Sequence, residues 1–405
     1  MPRITNIEVS GKNLTLRIVL LALAIVIAIG AFWYGFSTLF GLEPGWRTVE
    51  VTSVNLNCSE DFVLSYNYVD AADVSAAAQN KRLTALYTKA TEDAYQLFNN
   101  EFASVELHNI RYVNEHLNEE ITVEPAIYDA LRAIAEAGNR SIYLAPAYAQ
   151  YQQMFVCESD ADAKQYDPQS DPEIKAYIAQ IAQFANDPGM IDIQILGDQR
   201  LKVQVAQEYL DFIKENEIRY VLDFSWMTNA FIADYIADIL IDNGFTNGYL
   251  ASYDGFTRNL YNADYDFELN VFHRIGNDAL IPATIVYPGG KSIVTLRDFP
   301  INEQDRWHYY AFQDGRIASL MLDPADGSEK CAVTSMVSYS QSAGCVEILL
   351  SAAPLYLADA LDTQQLNSLA EKGIFTVYPE GKSVYTNDET LHIKLYESYT
   401  KQPIE

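Results

Sequence analysis

Basic residues are scarce in this chain. Its 405 residues include 27 Lys and Arg against 55 Asp and Glu, which gives a formal net charge of -28 at pH 7. Nucleic-acid binding depends on clustered Lys and Arg that displace counterions from phosphates, and the sequence has no such cluster. The composition therefore argues against a nucleic-acid partner. The same negative charge is repelled by anionic lipid headgroups, so we expect the acidic part of the chain to stand off a membrane surface.

The common catalytic and metal-binding motifs are absent as well. The sequence contains no GxGxxG, P-loop, HExxH or GxSxG pattern, and no CxxC pair that would indicate a zinc site. Histidines are few and far apart, and a lone histidine is more often a surface or packing residue than a ligand. They are His108, His116, His273, His308 and His392.

One long apolar run lies near the N-terminus, at residues 18–40, and it contains no charged residue. At about 1.5 Å per residue, it is long enough to cross a bilayer of about 30 Å. Residues 1–17 carry three basic residues and one acidic residue, so the positive-inside rule predicts a cytoplasmic N-terminus. We therefore predict a single-pass protein of the cell membrane whose C-terminal domain is extracytoplasmic. A cleaved signal peptide is the alternative, although its apolar region usually has only about 7 to 15 residues.

The four cysteines all follow this run, where disulfide bonds can form. Cys331 and Cys345 flank apolar, β-branched runs, including residues 346–350, and this pattern predicts neighbouring strands that a disulfide could join. Buried free thiols are the alternative. Spacing does not decide the pairing of Cys58 or Cys157 either.

Beyond the apolar run, the hydrophobic pattern changes between strand-like and helical periods. Residues 62–69 alternate like a strand, residues 71–102 carry a helical stripe, and a strand-rich region at 267–350 precedes a helix at about 354–372. We predict one α+β domain with a large mixed or antiparallel sheet and covering helices. The expected boundaries are 1–17 for the cytoplasmic N-terminus, 18–40 for the membrane helix, 41–80 for a juxtamembrane segment with the first strands, and 81–400 for the ectodomain.

Four separated segments, taken in chain order, match the motifs of one known family in part. Residues 142–155 are similar to its "fDptvgpL" segment, which begins a helix. In the second segment, Asp223 and Asp234 match "DlggiaKGyavD", whose lysine is replaced by Asn229. The turn that contains Asp254 follows this segment and is similar to the motif "nlGGd".

The third and fourth segments contain the remaining matches. Asp323 and Gly327 are in register with "dGkryhHIiDPrTG", whose histidine is replaced by Leu320. By itself this segment also fits a tight turn between strands. Asp359 and Thr363 match "aDalaTa", and on a helix this spacing places both side-chain oxygens on one face, where Mg²⁺ could bind. A solvated helix surface is the alternative.

Together these segments resemble the bacterial FAD:protein FMN transferases of the ApbE type, over about residues 83–392. The resemblance implies the flavin-transferase fold and Mg²⁺-dependent transfer of FMN from FAD to a threonine of another protein. It assigns no catalytic residue, because the histidine position is Leu320. It implies FAD-binding positions at Asp223, Asn229, Asp254, Asp323 and Gly327, and Mg²⁺ ligands at Asp359 and Thr363.

Three functions remain open from the sequence. The chain could be an FMN transferase in which His308, Arg306 or Arg316 replaces the altered histidine, with a flavin-acceptor protein as its partner. It could be a non-catalytic descendant that binds a flavin, another ligand or a cell-envelope protein, since several motif positions are changed. It could also be a cell-envelope binding module unrelated to flavin.

Overall fold

The structure is a computed structural model that describes residues 43–52, 61–69, 74–104, 106–261 and 265–405. The predicted membrane helix at residues 18–40 and Cys58 lie outside these ranges. Among the residues that are described, no helix has the length and apolar character needed to span a membrane. The chain divides into a large unit, 46–67 and 82–405, and a small one whose described residues are 43–45, 68, 69 and 74–81.

Helices form where apolar residues recur at helical spacing and local residues cap the ends. The described helices are α1 (Ala76–Phe98), α2 (Ile110–Glu115), α3 (Pro125–Ala137), α4 (Ala145–Tyr151), α5 (Asp160–Ala163), α6 (Pro172–Asn186), α7 (Gln207–Glu215), α8 (Thr228–Asp242), α9 (Cys345–Tyr356) and α10 (Thr363–Glu371). Pro125 begins α3, and Gly138 ends it in the left-handed region at φ 65°. Asp171 caps α6 by accepting hydrogen bonds from two backbone N–H groups.

The strands are numbered in chain order. They are β1 (Gly45–Val49), β2 (Phe62–Tyr68), β3 (Ile121–Thr122), β4 (Ile191–Gly197), β5 (Arg200–Val205), β6 (Gly248–Ser252), β7 (Phe256–Asn259), β8 (Asp266–Ile275), β9 (Asp278–Pro288), β10 (Ser292–Arg297), β11 (Tyr309–Ala311), β12 (Ile317–Ser319), β13 (Ser335–Ser340), β14 (Ile374–Glu380), β15 (Ser383–Thr386), β16 (His392–Leu395) and β17 (Thr400–Pro403).

A mixed sheet of nine described strands organises the large unit, in the order β1-β2-β6-β7-β10-β13-β14-β15-β17. In its middle, β10 is antiparallel to both β7 and β13, with Val294 opposite Phe256 and Ser338. At its far end β15 and β17 are parallel. The predicted α+β class with a large mixed sheet is therefore confirmed.

The sheet is covered on both faces by other elements. The three-stranded sheet β8-β9-β16 shares one core with β10, β13, β14 and β15, through buried side chains such as Phe267, Ile285, Val337 and Val377. Helices α8 and α9 pack on β7 and β10. Each large apolar side chain that is fully buried in this way contributes about 1.5–3 kcal/mol. This packing fixes the ends of β7 and β10.

The predicted strand at residues 346–350 is wrong, because these residues lie in α9. The disulfide proposed between Cys331 and Cys345 is therefore wrong as well, and both thiols are free, as is Cys157. Cys345 is buried in the first turn of α9, where its thiol donates to the backbone carbonyl of Thr257. The apolar run in α9 faces packed neighbours on several sides, so its composition resembles that of a buried strand.

The predicted helix at residues 354–372 is interrupted. Helix α9 ends at Tyr356, residues 357–362 form bends and extended chain, and α10 starts at Thr363. The side chain of Asp362 accepts a hydrogen bond from the backbone N–H of Gln365 and caps α10. This cap sets the start of α10 after Asp359.

Candidate functional site

A cleft lies at the end of the central strands β7 and β10. Its cavity volume is about 30 Å³, and it is partly open to solvent. Its walls come from the turn before β7, the end of β10, the 3₁₀ segment Gln304–His308, and the residues next to α8 and β12. The lining residues are Trp226, Asp254, Phe256, Thr295, Leu296, Arg297, His308, Tyr309, Leu320 and Met321.

Most of the cleft wall is aromatic or aliphatic, but three of its buried polar atoms have no partner. Within the described chain, Trp226 Nε1, Asp254 Oδ1 and His308 Nδ1 have no hydrogen bond. Buried polar atoms in proteins are almost always paired, and leaving one unpaired costs about 1–3 kcal/mol. Since all three residues line the same cleft, a ligand with complementary polar groups could satisfy these atoms.

Asn229 and Asp254, both predicted as binding positions, meet at this cleft. Asn229 is buried in the first turn of α8, and its Nδ2 donates to Asp254 Oδ2 at 3.0 Å. Burial raises the pKa of Asp254, whereas the nearby His308 and the hydrogen bond from Asn229 act in the opposite direction. The carboxyl group is thus held by one oxygen and offers the other to the cleft.

The turn that contains Asp254 packs closely against β10. Gly255 has φ 115°, and a Cβ atom there would lie 2.3 Å from the carbonyl oxygen of Thr295. The backbone N–H of Thr295 also donates to the Gly255 carbonyl at 2.8 Å. Only glycine combines this conformation with so close an approach, so Gly255 fixes the position of Asp254.

A buried ion pair joins the two sides of the cleft. Arg297 Nη1 lies 3.0 Å from Asp305 Oδ2, and their side chains are 2% and 0% exposed. Arg297 Nη2 also donates to the carbonyl of Tyr253, at 3.3 Å, while Asp305 belongs to the 3₁₀ segment that ends at His308. Arg297 therefore positions both the Asp254 turn and the His308 segment. Sequence reasoning missed this pair, and no motif marks it.

Asp323 and Gly327 lie away from the cleft lining, in a tight turn. Asp323 accepts from the backbone N–H of Ala325, and its own carbonyl accepts from the N–H of Gly327 at 2.8 Å. Gly327 has φ 74°, and a Cβ atom there would lie 2.5 Å from a methyl carbon of Ile178 in α6. The turn interpretation thus accounts for this glycine.

Lys330 lies at the centre of this acidic turn. Its Nζ is 2.7 Å from Asp323 Oδ2, 3.2 Å from Asp326 Oδ2 and 3.8 Å from Asp359 Oδ1. The hydrogen bond to Asp323 is the largest cause that raises the pKa of Lys330, and Asp326 adds to it. Asp323 and Asp359, which the resemblance assigns to cofactor and metal, therefore share a lysine.

The predicted geometry of the metal ligands is wrong. Asp359 and Thr363 do not share a helix face, because Asp359 lies in the segment between α9 and α10. The Asp359 side chain is 92% exposed. Within the described ranges, no three His, Cys, Asp or Glu side chains converge as metal ligands do. The shared helix face that was expected to present both oxygens to Mg²⁺ is therefore not formed.

Asp223 lies neither in the cleft lining nor in the turn around Lys330. Its Oδ1 accepts from the backbone N–H and the hydroxyl of Ser225, at 2.6 and 2.9 Å, and its Oδ2 accepts from Asn100 at 2.6 Å. Burial raises the pKa of Asp223, and these hydrogen bonds oppose that effect. All of these contacts stabilise the turn that leads to Trp226, so Asp223 supports the cleft without lining it.

Comparisons with known proteins give a clear result for the fold. A crystal structure of an ApbE protein from Thermotoga maritima covers 87% of this chain and 97% of its own, with a TM-score of 0.54 and 12% identity. The flavin transferase ApbE from Vibrio cholerae covers 88% of this chain and 99% of its own, with a TM-score of 0.54 and 13% identity. The chain has the fold of the ApbE flavin transferases. No protein-family model and no curated protein sequence matches it.

Of the residues proposed to replace the altered histidine, His308 lines the cleft and Arg316 does not. Leu320 lines the cleft, and its backbone N–H donates to the carbonyl of His308 at 2.8 Å. His308 therefore lies beside the position that the motif resemblance assigns to the altered histidine. Arg316 instead forms an ion pair with Asp167 and covers the ring of Phe312. The side chain of Arg306 lies outside the described part of the structure.

Proposed function

We propose that this protein binds a flavin ring in the cleft without transferring FMN, at the outer face of a membrane to which residues 18–40 anchor it. The ApbE-like fold supports a flavin as the ligand. The uncharged run at residues 18–40 supports the location. One observation carries the proposal: Asp254 Oδ1, His308 Nδ1 and Trp226 Nε1 are buried without partners in a cleft whose lining is mostly aromatic or aliphatic.

The chemistry of the cleft fits a planar heterocycle. A flavin ring carries one N–H donor beside carbonyl and nitrogen acceptors, which complement a carboxyl group and an imidazole. Trp226, Phe256 and Tyr309 supply aromatic surface for the faces or edges of such a ring. Ligand sites span about 300–1,000 Å³, whereas this cleft has a cavity volume of about 30 Å³, so its side chains must move apart to admit the ring system, with the rest of FAD outside it.

Two features favour binding over transfer. Leucine cannot move a proton, and Leu320 stands where the family motif has histidine. Transfer from FAD would break its pyrophosphate bond, which requires compensation of phosphate charge. The residues assigned to Mg²⁺ do not lie on one helix face, and Lys330 lies close to Asp323 and Asp359. Accordingly, we propose flavin binding that does not need Mg²⁺.

FMN transfer is the second candidate, and the location of His308 favours it. Because His308 is hydrogen-bonded through its backbone to Leu320, its imidazole could take over the proton-transfer role in the same cleft. In that case the partner would be a cell-envelope protein with an acceptor threonine. If the protein only binds flavin, its partner would be a protein that recognises the flavin-bound form.

The test is a titration of the purified full-length protein with riboflavin, FAD and ADP, in EDTA and in Mg²⁺. Riboflavin and FAD should bind with similar affinity in both conditions, and ADP should bind far more weakly. Asp254→Ala and His308→Ala should each weaken riboflavin binding at least about fivefold, since a lost hydrogen bond to a buried partner costs about 1–3 kcal/mol. Asp359→Ala, which removes an exposed carboxylate, is the matched control.

Two results would contradict the proposal. Equal riboflavin affinity in wild type, Asp254→Ala and His308→Ala would show that the cleft is not the site. Release of AMP from FAD by the wild type that disappears in His308→Ala would instead establish the transferase interpretation.

A further inference from the structure

An aromatic cluster lies where the large unit begins, in β1. The ring of Trp46 packs against three other rings, with centroid distances of 5.1 Å to Tyr265, 6.0 Å to Phe267 and 6.1 Å to Tyr249. Phe267 is 8% exposed and belongs to the main core, against which Trp46 and Tyr249 also pack. Trp46 therefore fixes the start of this unit to its folded core.

Two tyrosines continue the cluster to the surface. Tyr265 is 45% exposed and Tyr261 is 55% exposed, whereas exposed large apolar side chains usually occur singly. The turn after β9 contacts both of them: the Gly289 N–H donates to the Tyr265 carbonyl at 3.2 Å, and a Cβ atom on Gly290 would lie 3.8 Å from Tyr261 Cδ1. Trp46, Tyr261 and Tyr265 thus form one surface, which we call the aromatic edge.

The aromatic edge is close in sequence to the predicted membrane span. Trp46 follows residue 40, the last residue of the uncharged run, by six positions. An extended chain covers at most about 3.6 Å per residue, so Trp46 lies within about 22 Å of the end of that run. The headgroup region adds about 5–8 Å on each side of the hydrocarbon core. The short connection therefore allows the aromatic edge to reach the headgroups.

We propose that the aromatic edge docks into the headgroup region of the membrane that residues 18–40 span, and so sets the orientation of the domain. Tyr and Trp favour this region because the body of each ring is apolar while its O–H or N–H can bond water and headgroups. Anionic headgroups repel the acidic charge of the chain, which favours contact through uncharged rings alone. The inference rests on the membrane anchor of the proposed function and not on flavin binding.

The experiment measures how bromolipids quench tryptophan fluorescence of the full-length protein in phosphatidylcholine nanodiscs. Trp33 lies in the predicted span, so the variants that report on the aromatic edge also carry Trp33→Phe. Tyr265→Trp adds a reporter at the edge. Ile275→Trp is the matched control, because Ile275 is 44% exposed and ends β8 eight residues after Phe267, about 26 Å away at about 3.3 Å per residue.

Bromolipid should quench a larger share of the emission from Tyr265→Trp than from Ile275→Trp. Each variant retains four tryptophans, because one is removed from the four of the chain and one is added. Two of them lie at the aromatic edge in Tyr265→Trp, and only Trp46 does in Ile275→Trp. Equal quenched shares would overturn the proposal.

A second variant keeps the test decisive if Tyr265→Trp does not fold. Tyr261→Ser combined with Tyr265→Ser, in the Trp33→Phe protein, replaces two exposed rings and should reduce the quenching of Trp46. Quenching that is unchanged in this variant would show that the tether alone brings Trp46 to the lipid, and would overturn the proposal.

The same samples distinguish failure of docking from failure of the proposed function. Bromolipid should quench the wild type more than Trp33→Phe, because Trp33 lies within the predicted span. No difference between these two proteins would overturn the membrane location and the docking proposal together. Riboflavin titration of the same nanodiscs tests flavin binding independently of either result.

Discussion

Glu329 provides a quantitative test of the packing beside the cleft. Its side chain is 13% exposed, and its Oε1 accepts a hydrogen bond from the backbone N–H of Ser319 in β12. Burial raises the pKa of Glu329 to about 7 from 4.5, and Asp167 and Asp298 add to this effect. The Ser319 N–H and Arg316, whose Nη1 lies 4.0 Å away, oppose it without cancelling it.

The sign and size of the effect on stability follow from proton binding. Between pH 4.5 and 7 the folded protein binds a proton at Glu329 that the unfolded chain has released. The stabilisation is therefore complete below pH 4.5 and is lost as the pH rises through 7. At about 1.4 kcal/mol per pH unit, this loss amounts to about 3 kcal/mol.

Replacing Glu329 with Gln should remove this pH-dependent loss of stability. The amide oxygen still accepts the hydrogen bond from the Ser319 N–H, and the amide carries no charge at any of these pH values. Relative to the wild type, Glu329→Gln should gain up to about 3 kcal/mol in unfolding free energy between pH 5 and 8. Urea denaturation at several pH values in this range measures the difference. Glu371→Gln, at the exposed end of α10, is the matched control. A difference between Glu329→Gln and wild type that stays constant with pH, or falls as pH rises, would refute the reasoning.

Two further predictions concern the packing of the turn and of α9, and urea denaturation checks both. Gly327→Ala should lower the free energy of unfolding by about 1–3 kcal/mol, because Gly327 has φ 74° and a Cβ atom there would clash with a methyl group of α6. Gly381→Ala should lower it by only about 1 kcal/mol, because Gly381 has φ 59° and open space around it. Equal costs would show that the clash is relieved. Asp234→Asn should lower the free energy of unfolding by about 3 kcal/mol. Asp234 accepts hydrogen bonds from two backbone N–H groups at the start of α9 and forms an ion pair with Arg258, whose side chain is 10% exposed. Asp238→Asn should cost less than about 1 kcal/mol because Asp238 is 65% exposed, and similar costs for both would contradict this account.

The parts of the fold with strong local signals were predictable from the sequence. A helical stripe at residues 71–102 predicted α1, which the structure places at Ala76–Phe98. The start of α3 at Pro125 and its end at Gly138 follow from the φ values that these two residues favour. Such signals depend on neighbouring residues alone, so they need no knowledge of the tertiary structure.

Residues 345–356 show where this reasoning fails. Helix α9 has apolar residues on nearly all sides, because it packs against α8 and β10 together. A continuous apolar run fits a buried strand as well as a buried helix, so periodicity could not decide between them. The error then extended to the cysteine pair, since a cross-strand disulfide requires two strands.

The candidate site was predictable in part. Asn229 and Asp254 were identified from motif positions, and the fold brings them to 3.0 Å across 24 intervening residues. The roles of Arg297 and Lys330 depend on contacts made only in the folded chain. Lys330 stands four residues after Asp326, a spacing that indicates an ion pair only when the backbone between them is known.

The most direct test of the central claim is a riboflavin titration of the full-length protein in EDTA, compared with its Asp254→Ala variant. The account predicts saturable one-to-one binding by the wild type, quenching of tryptophan fluorescence, and at least about fivefold weaker binding by the variant. Binding that requires Mg²⁺, or that is equally tight in the variant, would contradict a metal-independent flavin site in this cleft.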